Sequence, residues 1–296
     1  MKKAFYQLHI AVFLAGFTGI LGKLITLNEG WLVWWRLLIS SATMWIIFPL
    51  MKKLQRLSGK DIVALSMLGF LAALHWITFY GSIKAANVSV ALVCFSAVGF
   101  FTALLEPLIL RVPIKKSEIF LGLLVIAGIA IIFHFDGRYK TGIILGVISA
   151  VLLAVVMIYL RRYVQRINPE TLLTWQLTGG LVPLSILIPL YSGWFPLNHM
   201  MPASNDWIWL LVLCWFCSVL AFQLSANALK RLTAFTVNLT YNLEPVYGII
   251  LAFVVFNENK DLGSSFFIGL SLIAASLVIH VILLLKEERK IERNAG

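Results

Sequence analysis

Charge is scarce in this 296-residue chain, and negative charge is scarcest. Only 12% of residues are charged, with 13 Asp+Glu against 24 Lys+Arg for a net +11, while 60% are hydrophobic. A soluble domain carries roughly 25% charged residues and roughly 45–50% apolar ones. So little polar surface cannot skin a soluble fold, and the same composition excludes disorder. Cysteine is nearly absent too: there are three, an odd number, all in apolar stretches, so no disulfide framework is implied. Cys214-Trp215-Phe216-Cys217 is formally a CxxC, but it lies in an apolar stretch where no reactive thiolate forms, and no second CxxC completes a zinc site. The chain lacks a GxxxxGK[ST] loop, an HExxH helix and a GxSxG elbow. Those absences remove P-loop ATP hydrolysis, zincin proteolysis and esterase chemistry. No cofactor and no metal are expected.

What the chain has is long apolar blocks that do not alternate, which argues against a β-barrel. Ten stretches reach the ~20 mostly apolar residues that cross a ~30 Å hydrocarbon layer. They are Phe5–Leu27, Trp31–Met51, Ile62–Ile83, Ala86–Leu110, Glu118–Phe135, Thr141–Leu160, Glu170–Leu190, Asp206–Ala228, Ala234–Phe256 and Gly263–Leu285. Lipid offers no partners for backbone N–H and C=O groups, so the spans must be helices. The fold class is therefore an all-α integral membrane protein with ten transmembrane helices. The longest connection, 191–205, contains Gly193, Pro196 and Pro202 and reads as an irregular surface loop. No connection is long enough to fold as a catalytic domain. Lys2 and Lys3 precede an apolar run too long for a signal-peptide core and without a small-residue cleavage site, so it is expected to remain as the first helix.

The basic residues mark topology. With the N-terminus in the cytoplasm, 18 of them fall on the inner side and five (Lys23, Lys84, Arg138, Lys140 and Lys260) on the outer side, leaving Arg36 alone inside a span. That asymmetry is the positive-inside pattern. It predicts a multi-pass protein of the plasma or bacterial inner membrane with both termini cytoplasmic. The charges are scattered one loop at a time, so no nucleic-acid partner is expected. The partners expected are the bilayer, a small-molecule substrate and a second copy of the chain. Trp31, Trp34, Trp35, Trp194, Trp207 and Trp209 cluster near predicted outer helix ends, the headgroup level that tryptophan favours.

Two stretches echo each other at an offset of 146 residues. Residues 82–87 align with 228–233, and 95–100 with 241–246. The offset is five spans, an odd number, so a second copy enters the membrane from the opposite side, the inverted-repeat plan of many secondary transporters. The expected units are 1–137 and 138–296. The runs Ala73-Leu74-His75-Trp76, Gly81-Ser82-Ile83-Lys84, Asn87-Val88-Ser89-Val90-Ala91-Leu92, Leu105-Glu106-Pro107 and Tyr241-Asn242-Leu243-Glu244-Pro245-Val246-Tyr247-Gly248 resemble the EamA type of the drug/metabolite transporter superfamily. That resemblance covers nearly the whole chain and implies a ten-helix transporter fold and a transport role, without naming a substrate.

A charge at mid-bilayer costs at least ~2.5–3.5 kcal/mol, so each one needs a role. Glu244 lies near the centre of the ninth span. Pro245 after it is expected to kink the helix and free the Tyr241 carbonyl. Asn238, Tyr241, Asn242 and Pro245 share a face at spacings of three and four, set against a structural helix–helix clamp. Arg36 could bind a substrate carboxylate with its planar fork, or snorkel. His75, with Trp76 and Tyr80 beside it, could carry protons or simply pack. Glu106 precedes Pro107, a second candidate kink or gate, and an ion pair with Arg111 is the expected structural use of Glu106. Lys84 stays unassigned between structure and function. His9, Gly16 and Lys23 recur at seven-residue spacing on the first span, and Gln176, Gln223 and Asn227 are weaker pathway candidates. The expected function is a secondary exporter of a small metabolite such as an amino acid, proton-coupled through Glu244 or His75. The alternatives are a membrane-embedded enzyme, or a sensor or scaffold without transport.

Overall fold

The computed structural model describes residues 2–295 except Val112, Lys115, Asp136, Phe195, Lys230, 233–236, Asn238 and Leu239, and it leaves aside the side chains of Phe135, Asn198, Leu229, 284–285 and 287–295. Among the described residues every element is helical. In order they are α1 (Lys2–Leu24), α2 (Glu29–Leu50), α3 (Gly59–Ala85), α4 (Val88–Phe95), α5 (Val98–Leu110), α6 (Lys116–Phe135), α7 (Lys140–Val164), α8 (Pro169–Ile186) and α9 (Ile188–Tyr191). Then come α10 (Asp206–Leu211), a π-helical stretch (Val212–Leu220), α11 (Ala221–Leu229), α12 (Glu244–Phe256) and α13 (Ser264–Ala295). Four starts are set locally. The side chains of Asn28, Ser58, Asn87 and Asn168 accept the backbone N–H three residues on, at Trp31, Asp61, Val90 and Thr171, the N-cap arrangement. Pro169 at the first position of α8 has no N–H to leave unpaired.

Eight helices among the described residues are long and apolar enough to cross a membrane, and α12 is a shorter apolar one. Their outer surface carries fully apolar side chains such as Leu50 (79% exposed) and Val254 (74%). Water would penalise such a skin, and lipid tails cover it.

Three expected spans are interrupted. Ala86–Leu110 breaks at Ser96–Ala97, where the Ser96 N–H reaches both Leu92 O and Val93 O and the Ala97 N–H turns back to Cys94 O. The Ser96 hydroxyl also bonds Leu92 O at 3.2 Å, so a tightened turn and a back-bonded serine bend the chain. Glu170–Leu190 ends as α8 at Ile186, and α9 follows separately. Pro189 disfavours a helical residue before it. In the ninth span Asn242 and Leu243 form a turn, and Pro245 sits in the first turn of α12. Pro245 therefore starts a helix rather than kinking one. The missing N–H costs nothing there.

Helix directions follow from contacts at the two ends. At one end Lys23 pairs with Glu258 at 2.9 Å and Lys84 donates to Ile25 O at 3.0 Å. There Thr26 donates its N–H and hydroxyl to Asp206 at 2.8 and 2.7 Å. At the other end Asp61 pairs with Arg166 at 2.5 Å, Lys53 with Glu170 at 3.2 Å, and Glu106 with Arg161. Glu106 thus bonds α7 rather than the expected Arg111, which ends α5 in a left-handed conformation, exposed. Helix α1 runs from the Arg166 end to the Glu258 end. Helix α7 runs the other way, since Gly142 O accepts from Ser82 at 2.7 Å near the close of α3.

The principal interfaces come in corresponding pairs. Helix α3 packs on α7 and α8, while the α10–α11 region packs on α1 and α2; α4 packs on α7, and α12 on α1. Helices α2 and α8, α4 and α12, and α6 and α13 pair with one another. Close approach is made possible by glycine. A Cβ built on Gly69 would lie 1.9 Å from Gln176 O on α8. Gly69→Ala is expected to destabilise the purified protein by about 1–3 kcal/mol in thermal unfolding in detergent. Gly99→Ala, with nothing among the described residues within 4 Å of its added Cβ, should be neutral or stabilising by up to about 1 kcal/mol.

Candidate functional site

The buried cation at the centre of the bundle is Arg36, 5% exposed. It has not snorkelled. Its guanidinium donates to the Tyr80 hydroxyl at 2.7 Å and to the Ser218 hydroxyl at 3.2 Å, and it lies 4.2 Å from the centre of the Trp76 ring. Trp76 and Tyr80 sit four residues apart on α3, so one helical face supplies both the cation–π platform and the hydrogen bond. Ser218 comes from the π-helical stretch, with its hydroxyl also bonded to Leu213 O five residues back. A π turn is rare and recurs at functional sites; here it carries Ser218 and Cys214 to Arg36, whose own carbonyl lies 3.7 Å from the Cys214 sulfur. Among the described residues Arg36 has no carboxylate in ion-pair contact. Its positive charge acts on Glu244, His75, Tyr80, Cys214 and Cys217.

Glu244 opens α12, partly buried, within electrostatic reach of Arg36 but not paired with it. Tyr241 is turned toward α11, its hydroxyl 2.5 Å from that of Ser225. Asn242 lies in the turn between them, and Asn238 lies outside the described residues. The expected face of Asn238, Tyr241, Asn242 and Pro245 is therefore not one continuous helix. Of the predicted residues, Arg36, Trp76 and Tyr80 come together in contact, and Glu244 faces them at a distance.

His75 is held elsewhere. Its Nδ1 lies 3.0 Å from Ser149 O and 2.8 Å from the Ser149 hydroxyl on α7, and its ring stacks on Phe79 at 6.1 Å. That is a buried contact between α3 and α7. Pro107 sits inside α5, beside the Glu106–Arg161 pair. The seven-residue stripe on α1 runs along α12: His9 lies 3.1 Å from the Tyr247 hydroxyl, a Cβ on Gly16 would lie 2.8 Å from Glu244 O, and Lys23 reaches Glu258. Cys214 and Cys217 are buried free thiols. The Gln223 amide nitrogen is buried with no partner among the described residues, a spare donor one turn beyond Ser218. A cavity of about 430 Å³ opens at the Glu258 end, lined by residues that include Glu29, Lys84 and His199; none of the Arg36 cluster lines it.

Sequence reasoning missed Ser218, Asp206 and Glu258. Ser218 is one small polar residue in an apolar run, and only the π register aims it. Asp206 and Glu258 sit at span ends, where an acidic residue reads as loop. Each is nevertheless buried, at 1% and 2% exposure, and a buried carboxylate demands partners.

Two segments, residues 3–134 and 140–280, match the model of the EamA-like transporter family. The chain belongs to that family. It is thus a multi-pass membrane transporter built of two repeats. No curated protein matches it in sequence. A solved structure described only as "Crystal structure of protein" is similar to this EamA-like chain at 14% identity and a TM-score of 0.63, covering 97% of this chain and 99% of the other. At that identity the likeness speaks for the fold alone.

Tyr80→Phe leaves the buried guanidinium short of one acceptor and is expected to lower stability by about 1–3 kcal/mol. Gly22→Ala should produce the same defect, because its Cβ would lie 2.4 Å from the Tyr80 ring. Thermal unfolding of both single variants and the double variant checks this. A shared cause gives a double variant clearly less impaired than the sum.

Proposed function

We propose that this protein is a secondary exporter of a small zwitterionic metabolite such as an amino acid, that it is coupled to protons, and that it works without enzymatic chemistry. The carrying observation is Arg36: a buried guanidinium, oriented by Tyr80, Ser218 and Trp76, with no carboxylate in ion-pair contact among the described residues. A substrate carboxylate matches its free geometry. Glu244, without an ion-pair partner among the described residues and within electrostatic reach, would receive the substrate ammonium or, with the site empty, a proton. The same two groups then serve substrate and coupling in turn.

The opposite directions of α1 and α7 and the corresponding interfaces support two inverted five-helix repeats, 1–137 and 138–296. In this reading α8 with α9 lies in the seventh of ten spans and α12 in the ninth, Ala234–Phe256. The grouping of Lys53, Arg161 and Arg166 at one end supports placing that end and both termini in the cytoplasm of a cell bounded by this plasma or inner membrane. A homodimer is the assembly proposed, with the apolar lateral faces as its seat.

Reconstituted protein is expected to move at least one of the twenty standard amino acids across proteoliposomes, faster with a proton gradient. Arg36→Lys keeps the charge and loses the fork, and should slow that flux at least tenfold. Glu244→Gln should abolish gradient-driven accumulation while sparing exchange. Absence of flux for all twenty, with and without a gradient, overturns the reading.

A further inference from the structure

We propose that Glu258 is a positioning residue of the transport cycle, which holds the Glu258 end of the path shut by binding the N-terminus of α4; this rests on the transport reading above. Glu258 follows Asn257, whose left-handed conformation (φ 54°) turns the chain sharply at the end of α12. Asparagine tolerates that conformation better than most residues. The turn sends the carboxylate inward rather than to the surface, where it is 2% exposed. It accepts from Val88 N–H at 3.1 Å, Ser89 N–H at 2.8 Å, the Ser89 hydroxyl at 2.6 Å and Lys23 Nζ at 2.9 Å. Lys23 also lies over the Phe256 ring at 4.4 Å. With Asn87 capping Val90, the first turn of α4 is fully satisfied, half of it from another part of the chain.

The partners fall in two groups of helices. Helices α3, α4 and α7 pack together, and α1, the α10–α11 region and α12 pack together. Lys23 and Glu258 belong to the second group, Val88 and Ser89 to the first. Glu258 therefore bridges the groups, and Lys84 bonding Ile25 O bridges them beside it. At the far end Asp61–Arg166 stays within the first group, Glu106–Arg161 joins α5 to α7, and Lys53–Glu170 joins the turn after α2 to α8.

Packing follows the same divide. Helix α4 is buried from Val88 through Cys94 on every face, whereas in α5 only Ala103 is buried. Helix α4 packs on α1 and α12 as well as on α3 and α7, while α5 packs on α6 and α7. A Cβ on Gly248 would lie 2.4 Å from Leu92, yet one on the exposed Gly99, seven residues further along, meets nothing within 4 Å among the described residues. The groups are in contact at Leu92, and the exposed Gly99 lies outside that contact. Losing Glu258 removes the acceptor for two helix N-terminal amides and one ammonium, and lets the groups part at Leu92.

The test uses the whole purified protein in detergent with Cys94, Cys214 and Cys217 replaced by alanine. Leu92→Cys and Gly99→Cys are made singly, and their maleimide labelling rates are measured with Glu258 intact and with Glu258→Gln. The expected result is selective: labelling at position 92 rises by roughly tenfold, within the usual range for coupled equilibria, while labelling at position 99, outside the contact, is unchanged. A merely structural Glu258 would raise both rates by loosening the fold, and that outcome overturns the proposal, as does an unchanged rate at position 92. Glu258→Asp should return the rate at position 92 most of the way. The measurement needs no substrate, so its failure leaves the exporter reading standing, and absent flux in proteoliposomes leaves this result intact.

Discussion

Hydrocarbon offers a backbone amide nothing to bond, and each one left unpaired there costs several kcal/mol. That constraint decides where this chain can stop being an α-helix. The turn at Ser96–Ala97 closes on its own carbonyls and a serine hydroxyl. The π-helical stretch shifts its bonds by one residue without losing them. The first turn of α4 borrows a carboxylate from the far end of α12. Every interruption therefore needs a local or imported partner, and the imported ones pin distant segments together. The residues proposed to act in transport sit at or facing these interruptions: Ser218 in the π stretch, Glu244 beside the turn at Asn242–Leu243, and Glu258 at the start of α4.

The apolar blocks made the helices legible in the sequence, and charge asymmetry made the two ends legible. Arg36 stood out because a lone cation in an apolar run has no inexpensive explanation, and the spacing of Trp76 and Tyr80 already put both on one side of α3. The stripe of His9, Gly16 and Lys23 proved to be a contact line along α12. The helix breaks were not legible, because Ser96, Asn242 and Leu243 are compatible with a continuous helix, and only the surrounding packing selects the turn. Pro245 was read as a kink because proline inside an apolar run usually means one. The same residue at a helix start is strain-free, and hydropathy does not distinguish the two. Glu258 was invisible for a different reason: its burial depends on the backbone at Asn257, and its partners lie about 170 residues away.

Glycine gives several helix pairs their closeness. Gly69 against Gln176, Gly16 against Glu244 and Gly128 against Gly269 bring backbones together without side chains between them. Contacts of this kind are flat. They hold a helix pair by dispersion and shape while allowing one helix to slide over its neighbour. At Lys23, Glu258 and Asp206 the chain ties its segments by charge instead, so that the close-packed surfaces and the tied points are made of different chemistry.

The brevity of α12 has an electrostatic consequence. Its 13 residues span about 20 Å at 1.5 Å per residue, well short of the ~30 Å hydrocarbon core. Since its last turn reaches the end of the bundle at Glu258, its first turn ends deep inside. A helix concentrates roughly half a positive elementary charge at its N-terminus. Here that pole is set at mid-depth beside Glu244, in a medium with little water to screen it, and its field adds to that of Arg36.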